Sequence, residues 1–296
     1  MNPSDPLFFS MMEIEFLGTG GAITTPRPAC HCRLCDEARE KGPPYARTGP
    51  SIFVHGPDVL IDTPEESKFQ LNRAGIDHIA AGLYSHWHPD HTLGRRVWET
   101  TNADWRHWPP QPRTTPIYLP AQVARDFQEQ QGLAEHFDFM TNKGWVEVHV
   151  IDEGEPVSIG GWQIEPIQLA DPSVYAFLFT GDGRRVLIAM DELVGWTPPE
   201  RLAGIDLAVL PIGIFEYDPF TGERRIPTDH VVLTFEATHR QTMQMVDRLQ
   251  PRRLIFHHIE EPDGNSYDDL RRLEARLRSE GLDVTIAWDG YKEALL

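Results

Sequence analysis

Apolar residues along the chain either alternate with polar ones or form short runs, and most of these stretches have the length of a strand. Residues 13–17 alternate and run into the turn Gly18-Thr19-Gly20-Gly21. Residues 79–84 show no polar alternation, which predicts a strand buried on both faces. The other predicted strands are 51–55, 59–62, 146–151, 162–167, 174–179, 186–190, 207–210, 253–256 and 284–288. Helical spacing predicts helices over 64–74, 233–249 and 267–278.

Strands and helices in mixed order, without an internal repeat, predict an α/β fold in which two sheets pack together with helices outside. At ~150 residues per domain, a chain of 296 residues suggests two domains, but one large layered domain of this length is also common. We predict a single domain over 12–296 and an N-terminal extension over 1–11, because Met11 and Met12 directly precede the first strand. Residues 98–116, rich in Trp, Pro and Arg, predict an irregular excursion.

The charge balance limits the classes of partner that the protein can bind. The chain has 27 Lys and Arg against 45 Asp and Glu, a net charge of −18, which argues against nucleic acid and anionic membranes as partners. No apolar run approaches the ~20 residues of a membrane-spanning helix, and the first residues lack the pattern of a secretory signal. The three cysteines cannot form a disulfide framework. We therefore expect a cytoplasmic protein with a small-molecule substrate, and leave a homodimer open.

Four metal-binding side chains follow the buried strand 79–84 within six residues: His86, His88, Asp90 and His91. Two residues apart in an extended segment, His86 and His88 project to one side. Imidazole and carboxylate suit ions such as Zn²⁺, and four such ligands can serve two adjacent ions. A polar loop with chance histidines is the alternative, but it fits a lone histidine far better than this run.

All three cysteines lie in the run Cys30-His31-Cys32-Arg33-Leu34-Cys35. Thiolates this close together are suited to share a soft metal ion, and a structural zinc normally takes four protein ligands. Unrelated buried cysteines would be scattered along the chain. We predict a structural zinc site held by Cys30, Cys32 and Cys35 that serves folding and not chemistry.

The run Ser85-His86-Trp87-His88-Pro89-Asp90-His91 resembles the signature of the metallo-β-lactamase superfamily. Further motifs in the family's order are FLGTGGA at 16–22, VLIDT at 59–63, Met190-Asp191 and His258. Within the superfamily the chain is most similar to the phosphoribosyl cyclic phosphodiesterases of the carbon–phosphorus lyase pathway. That similarity extends through the cysteine run, Asp229-His230 and the closing Trp288-Asp289-Gly290-Tyr291, and covers most of the chain from Met12 onward.

The resemblance implies an αββα sandwich of two mixed sheets flanked by helices, with two divalent ions, zinc or manganese, at the sheet edges. It implies that His86 and His88 hold the first ion, that Asp90, His91 and His258 hold the second, and that Asp191 bridges them. Where the family has a third histidine on the first ion, this chain has Leu169-Ala170-Asp171-Pro172. Asp171 is either a ligand, which would favour manganese or iron over zinc, or a turn residue, since Asp-Pro often opens turns.

The related phosphodiesterases complete their cysteine site with a histidine at the position of Glu261. The fourth ligand of the cysteine site is therefore open between Glu261, His257, His31 and water.

The implied function is hydrolysis of a small phosphodiester, with a cyclic phosphate of a ribose as one candidate, by a hydroxide that two metal ions activate. Asp90 and His230 are the predicted catalytic residues, with His230 as the general acid; the alternative for His230 is a neighbour of a helix cap. Ester, lactone or thioester hydrolysis is an alternative function, and so is an accessory or binding protein of the pyrroloquinoline quinone type, because the fold does not decide between them.

Aromatic residues are candidates for the pocket wall. Those after the metal motif are Trp98, Trp105, His107 and Trp108, which could equally cover the sheet edge. Tyr217 and Phe220 are a second candidate wall, or pack within their own loop.

Overall fold

We describe residues 12–295 in a computed structural model of the chain; the predicted extension, 1–11, lies outside the described residues. The strands are β1 (Glu13–Gly18), β2 (Ser51–His55), β3 (Val59–Ile61), β4 (Ala81–Leu83), β5 (Thr115–Pro120), β6 (Val146–Ile151), β7 (Val157–Ile159), β8 (Trp162–Gln168), β9 (Tyr175–Gly181), β10 (Arg184–Ala189), β11 (Leu207–Pro211), β12 (Arg253–His257), β13 (Val284–Ile286) and β14 (Lys292–Ala294). The helices are α1 (Arg33–Lys41), α2 (Ser67–Ala74), α3 (Pro89–Thr92), α4 (Val97–Asn102), α5 (Ala121–Glu129), α6 (Leu133–Asn142), α7 (His239–Leu249) and α8 (Tyr267–Ser279). Short 3₁₀ turns cover Leu93–Arg96, Glu200–Leu202, Val231–Thr234 and Glu261–Asp263.

The strands form two seven-stranded sheets, of order β14-β1-β2-β3-β4-β5-β6 and β13-β12-β11-β10-β9-β8-β7. Both sheets are mixed. In the first, β3 to β6 run parallel while β1, β2 and β14 pair antiparallel. In the second, β10 to β13 run parallel and β7 to β10 pair antiparallel. The parallel strands of the two sheets thus each present a set of carboxyl ends.

Three apolar layers hold the sheets and helices together. The middle layer lies between the sheets, where Ile14 and Phe16 of β1 belong to the same buried cluster as Phe177 and Phe179 of β9. The outer face of the first sheet packs against α4, α5 and α6 around Trp98, and that of the second sheet packs against α7 and α8. Burial of alternate strand positions on both faces is what layered α/β folds require. The predicted αββα sandwich of two mixed sheets is confirmed.

The segment 98–116 is more regular than its composition predicted, because it contains α4 and the start of β5. Trp98 is fully buried, and its Nε1 donates a hydrogen bond to the Tyr84 hydroxyl at 2.9 Å. The helices α5 and α6 follow, and they bury pairs such as Val123 and Phe127 at helical spacing. That spacing was the signal for them in the sequence.

Helix caps explain two further differences between the predicted and the observed helices. The helix predicted from residue 233 begins at His239, because Thr238 and Gln241 form a capping box at its start. The helix α1, which was not predicted, begins after Cys32, whose sulfur accepts a hydrogen bond from the Cys35 amide. Among the described residues, no helix combines the length and apolarity needed to cross a membrane.

Candidate metal centre

The predicted histidine and aspartate ligands, apart from Asp171, lie where the parallel strands of both sheets end. Asp62 follows β3, the run from Ser85 follows β4, Asp191 lies just beyond β10, and His258 follows β12. Side chains at the carboxyl ends of neighbouring parallel strands converge on one edge. Residues more than 150 positions apart in the sequence therefore meet at a common point.

Two groups of four side chains converge here. Within each group, every side chain offers one potential ligand atom, and these four atoms lie within 4.8 Å of one another. The first group is His86, His88, Asp191 and Glu192, and the second group is Asp90, His91, Asp191 and His258. Asp191 belongs to both groups, so its two carboxylate oxygens can serve two neighbouring ions.

In the second group, His258 Nε2 lies 3.3 Å from Asp191 Oδ1 and 4.0 Å from Asp90 Oδ2. His91 Nε2 lies 3.2 Å from Asp90 Oδ2 and 3.6 Å from Asp191 Oδ2. These are the separations of atoms that point at a shared space. The second group has the membership that the resemblance implied.

In the first group, His86 Nε2 lies 3.8 Å from Asp191 Oδ2, and His88 Nδ1 lies 3.1 Å from Glu192 Oε1. The structure brings Glu192 to this group where Asp171 had been predicted. Sequence reasoning missed Glu192, although its position directly after Asp191 at a strand end was a usable signal.

Asp171 is placed apart from both groups. Its exposed side chain accepts hydrogen bonds from the Ser173 amide at 2.8 Å and the Ser173 hydroxyl at 2.7 Å. This is the arrangement of an Asx turn, the second of the two roles open to it. In this structure Asp171 lies outside both ligand groups and its Oδ1 is engaged within its own turn, so its role as a ligand stays a prediction.

Unsatisfied buried atoms show whether these residues fit a metal. His86 Nε2, Asp90 Oδ2, His91 Nε2 and His258 Nε2 are all buried without a hydrogen-bond partner. Buried polar atoms are nearly always paired, since an unpaired one costs about 1–3 kcal/mol. Four unpaired ligand atoms that face one another are what a cation site requires, so the donor set fits divalent ions.

Neighbouring side chains orient these ligands. Asp62 is fully buried, and it accepts hydrogen bonds from the Ser85 amide at 2.8 Å and the Ser85 hydroxyl at 2.6 Å. The Ser85 hydroxyl lies 3.0 Å from His86 Nδ1, and Glu260 Oε1 lies 3.9 Å from His258 Nδ1. The hydrogen bond at His86 fixes the ring orientation and the tautomer of this histidine, whereas the contact between Glu260 and His258 is electrostatic only.

The electrostatics of the site favour a cation. Burial lowers the pKa of His86 well below 6.5, so its ring is neutral, as a metal ligand must be. Burial works against ionisation of Asp191, but His258 and His91 hold its pKa well below the usual value. Burial alone would also lower the pKa of His258, whereas the Asp191 carboxylate raises it to about 9. The site therefore holds ionised carboxylates that attract positive charge.

Three residues of the site have left-handed backbone: Asp62 at φ 59°, Glu192 at φ 48° and His258 at φ 52°. Side chains other than glycine reach this region at an energetic cost, and such strain is concentrated at functional sites. Each of these residues directly follows or closely follows a strand, so the turn of the backbone aims the side chain at the site.

The cysteine run forms a separate group with Glu261. Glu261 Oε1 lies 3.7 Å from Cys30 Sγ, 3.0 Å from Cys32 Sγ and 3.2 Å from Cys35 Sγ. Of the alternatives for the fourth ligand, the geometry thus favours Glu261.

The two histidine alternatives are engaged elsewhere. His257 is buried, with Nε2 2.8 Å from the Ala189 carbonyl, and the exposed His31 pairs with Asp36. The Cys32 amide and, secondly, the Arg27 guanidinium lower the pKa of Cys30, which favours its thiolate.

A recess beside Asp191 and His258 is also lined by Ile214, Glu236 and Glu260. Ile214, Glu236 and Glu260 also line a neighbouring cavity of about 520 Å³, and His230 lies at the wall of that cavity. Burial and, secondly, the charge of Asp191 raise the pKa of Glu236 to about 8; bound dications would lower it again, because positive charge favours the carboxylate.

His230 is exposed and is the N-cap of the turn Val231–Thr234. Its Nδ1 accepts a hydrogen bond from the Val232 amide at 3.1 Å, which places the proton of a neutral ring on Nε2. The structure thus gives His230 a capping role, while its role as a general acid stays a prediction.

The aromatic candidates lie elsewhere. Trp98 is in the outer core, while Trp105 and Trp108 are 85% and 92% exposed, and Trp105 lines a different cavity. Tyr217 and Phe220 line a further cavity, which contains none of the metal-binding residues. The walls of the cavity beside the metal centre come instead from residues near 23, 214 and 235.

Comparison with known proteins agrees with this architecture. A diphosphatase from the PhnP family has a similar fold, with a TM-score of 0.70 and 21% identity over 97% of this chain and 98% of that chain. Zinc-bound PqqB from Methylobacterium extorquens has a TM-score of 0.68 and 17% identity over 96% of this chain and 100% of that chain. At these identities the likeness shows a shared fold alone.

A local match also occurs with an octanoyltransferase of Porphyromonas gingivalis, at 34% identity over 84 residues, or 28% of this chain. The matched segment covers 17% of that protein, so the chain spans less than a fifth of this curated relative. Residues 55–259, more than half of the chain, match the family described as the beta-lactamase superfamily domain. Fold, ligand groups and family match agree, and the chain belongs to the beta-lactamase superfamily.

Proposed function

We propose that the chain hydrolyses a small phosphodiester with the help of two divalent ions, of zinc or manganese, held by the first and second ligand groups. The observation that carries this proposal is that Asp191 belongs to both groups while four buried ligand atoms around it lack partners. Two ions held in this way supply an activated water nucleophile and draw charge from a phosphoryl oxygen.

The chain's own residues prepare the site for this chemistry. Asp62 and Ser85 hold His91 and His86 so that their Nε2 atoms point at the ligand groups. Asp90, besides ligating, keeps a charged carboxylate opposite His258. His230 donates its Nε2 proton to the leaving oxygen, with the ring oriented by the Val232 amide.

The cavity volume of about 520 Å³ suits a small-molecule substrate, and the net charge of −18 opposes a nucleic acid or an anionic membrane. A protein of similar fold named as a diphosphatase supports phosphoric ester chemistry over carboxyl ester chemistry. The likeness to PqqB keeps a binding role as an outcome of the test.

We also propose that Cys30, Cys32, Cys35 and Glu261 hold a structural zinc and that the protein works in the cytoplasm, where thiols stay reduced.

The test is a substrate panel on protein reconstituted with zinc or with manganese. The panel contains bis(4-nitrophenyl) phosphate, cyclic nucleotides, a lactone and a thioester. We expect phosphodiester turnover that disappears in Asp191→Ala and persists in Glu155→Gln, a control on an exposed turn. Turnover of the lactone or thioester alone would replace the proposal with its enzyme alternative, and no turnover with both ions bound would favour a binding role.

A further inference from the structure

A separate cavity of about 510 Å³, which we call the Tyr217 cavity, is lined by the loop 215–222, the start of α7 and Arg276 of α8. A cavity of this size accommodates a small organic molecule. Among the described residues that line it, none belongs to the two metal ligand groups. A molecule bound in the Tyr217 cavity would therefore be held without being hydrolysed there.

Both carboxylates among the described lining residues already have an arginine partner. Glu216 Oε1 lies 2.5 Å from Arg224 Nη1, and Asp218 Oδ2 lies 2.5 Å from Arg225 Nη2. Asp218 Oδ1 also accepts hydrogen bonds from the amides of residues 220–221, both at 2.8 Å. These contacts lie within the loop itself, so they hold its shape and balance its negative charge without a ligand.

Arg240 brings a positive charge to the wall that no carboxylate balances. Its guanidinium lies 4.6 Å from the centre of the Tyr217 ring, and the guanidinium of Arg224 lies at the same distance from that ring. The charge of Arg224 is balanced by Glu216. The exposed side chain of Arg240, by contrast, has neither an ion pair nor a hydrogen bond with any residue that the structure describes. Its N–H groups therefore remain available to a ligand.

Arg276 is the second cation of the wall. It donates through Nη1 to the Pro219 carbonyl at 2.5 Å and through Nε to Glu280 at 2.9 Å. Its Nη2 has no acceptor within residues 12–295. The pair with Glu280 is about half exposed, so water screens it. Guanidinium groups that keep unpaired donors are suited to bind a phosphate or a carboxylate.

Aromatic rings supply the apolar part of the wall. Tyr217 and Phe220 are half-buried, and Phe215 is buried. The guanidinium of Arg272, from α8, lies 4.3 Å from the centre of the Phe220 ring and supports its position. Aromatic side chains in a cavity wall favour a ligand with a flat ring, because rings gain from stacking beyond the burial of their surface.

We propose that the Tyr217 cavity is a second ligand site, which binds a small anion with a flat ring, such as a nucleoside monophosphate. The anionic group binds to Arg240 and Arg276, and the ring packs against Phe220. This inference does not rest on the proposed phosphodiesterase function, because the residues that it uses lie outside both metal ligand groups.

The test is a calorimetric titration of the metal-loaded protein with 5′-AMP, adenosine and inorganic phosphate. 5′-AMP contains no diester, so the proposed hydrolysis does not consume it. We expect 5′-AMP to bind more tightly than adenosine or inorganic phosphate, because it alone carries both the anion and the ring. Arg240→Gln should weaken binding of 5′-AMP by about tenfold or more, since hydrogen bonds to a charged group are lost. Arg276→Gln should weaken it in the same direction.

Arg248→Gln is the matched control, because it removes the same charge from an exposed position in the last turn of α7, outside the cavity. It should leave the affinity for 5′-AMP unchanged. Phe220→Leu should weaken 5′-AMP by about threefold or more and leave inorganic phosphate unchanged, because only the ring contact is lost.

Binding of 5′-AMP that neither Arg240→Gln nor Arg276→Gln weakens would overturn this inference, and so would the absence of binding. Equal affinities for 5′-AMP and inorganic phosphate would overturn it as well, because the ring would then contribute nothing. Phosphodiester turnover is measured separately with bis(4-nitrophenyl) phosphate, so failure of the proposed function is distinguishable from failure of the second site.

Discussion

Asp62 Oδ2 lies 2.7 Å from His91 Nδ1, and both side chains are fully buried. Because the carboxylate accepts the Nδ1 proton, the Nε2 atom of His91 is left to face Asp90 and Asp191. A residue that lies 29 positions earlier in the chain thus decides how a metal ligand is presented.

Asp62→Asn should weaken metal binding at the second ligand group by about 10- to 100-fold, because an amide cannot stabilise the ring as a carboxylate does. Asparagine tolerates the left-handed backbone at this position, so the fold should persist. Metal titration measures the effect. Asp58→Asn is a matched control, since Asp58 has φ 53° and lies in a turn away from the site; equal affinities in the two variants would contradict the role assigned to Asp62.

Asp191→Ala should abolish hydrolysis and weaken binding of both exchangeable ions, because Asp191 belongs to both groups. His88→Ala should lower the occupancy of the first group alone, since His88 is absent from the second. Metal content after dialysis and turnover are the measurements. The exposed His78→Ala should change neither, and near-normal turnover of Asp191→Ala would remove the basis for a two-ion mechanism.

Glu192→Ala and Asp171→Ala separate the two candidates for the remaining ligand of the first group. Glu192 lies 3.1 Å from His88, whereas Asp171 is engaged with Ser173. We expect Glu192→Ala to weaken binding of the ion at the first group by about tenfold or more. Asp171→Ala should lower the stability of the fold slightly and leave the metal affinity unchanged. If titration instead shows the larger loss for Asp171→Ala, the loop must rearrange when metal binds.

Cys32→Ser should remove one tightly held zinc and lower the melting temperature more than it lowers turnover per folded molecule. Glu261→Gln should weaken the same zinc, because Glu261 contacts all three cysteine sulfurs. Zinc content after mild chelation and thermal melting are the readouts. His31→Ala, an exposed neighbour outside the group, is the control; unchanged zinc content in Cys32→Ser would rule out the cysteine site.

His239 should make the protein less stable in acid. Burial lowers its pKa, and its Nδ1 lies 2.8 Å from the Ile212 carbonyl, so the unfolded chain takes up a proton there more readily than the folded one. Stability is therefore lost as the pH falls below the ordinary histidine value of about 6.5. His239→Phe keeps the packing against Phe215. Its free energy of unfolding should therefore rise relative to that of the natural chain as the pH falls.

Urea unfolding at about pH 7.5 and about pH 5.5 measures this change, which cannot exceed ~1.4 kcal/mol per pH unit for one group. The exposed His78→Asn should show no such shift. A pH-independent difference between His239→Phe and the natural chain would show that the proton on His239 plays no part.

The layered fold could be predicted because strand periodicity, as at residues 13–17, is a local signal. The run from Ser85 to His91 is local as well, whereas it was the family resemblance that implied that Asp191 and His258 join it. Proline and tryptophan obscured α4 within the segment 98–116, whereas the helical spacing of α5 and α6 was present in the sequence and was missed. Burial of Trp98 against Tyr84 depends on the packing of distant elements, which no local window contains.

Asp171 and Glu192 show the same limit at the site. Both are acidic residues near strand ends, and family resemblance pointed to the position of Asp171 in the chain. Only the geometry shows that Asp171 Oδ1 is engaged by Ser173 and that the backbone turn at Glu192, with φ 48°, directs its side chain towards His88. Which of two similar residues reaches a site depends on backbone direction, and that is set by the whole fold.

The stretch from His258 to Glu261 carries members of two groups at once, the second ligand group and the cysteine group. Its backbone is joined to the loop near residue 20 by hydrogen bonds from Ile259 to Thr19 at 2.8 Å, from Gly21 to Ile259 at 3.1 Å and from Glu261 to Ile23 at 3.0 Å. One added or deleted residue would therefore shift His258 relative to Glu261 and spoil both groups together. Anyone who grafts binding loops onto this scaffold should keep the length of this stretch constant and place insertions elsewhere, such as the exposed turn around residue 107.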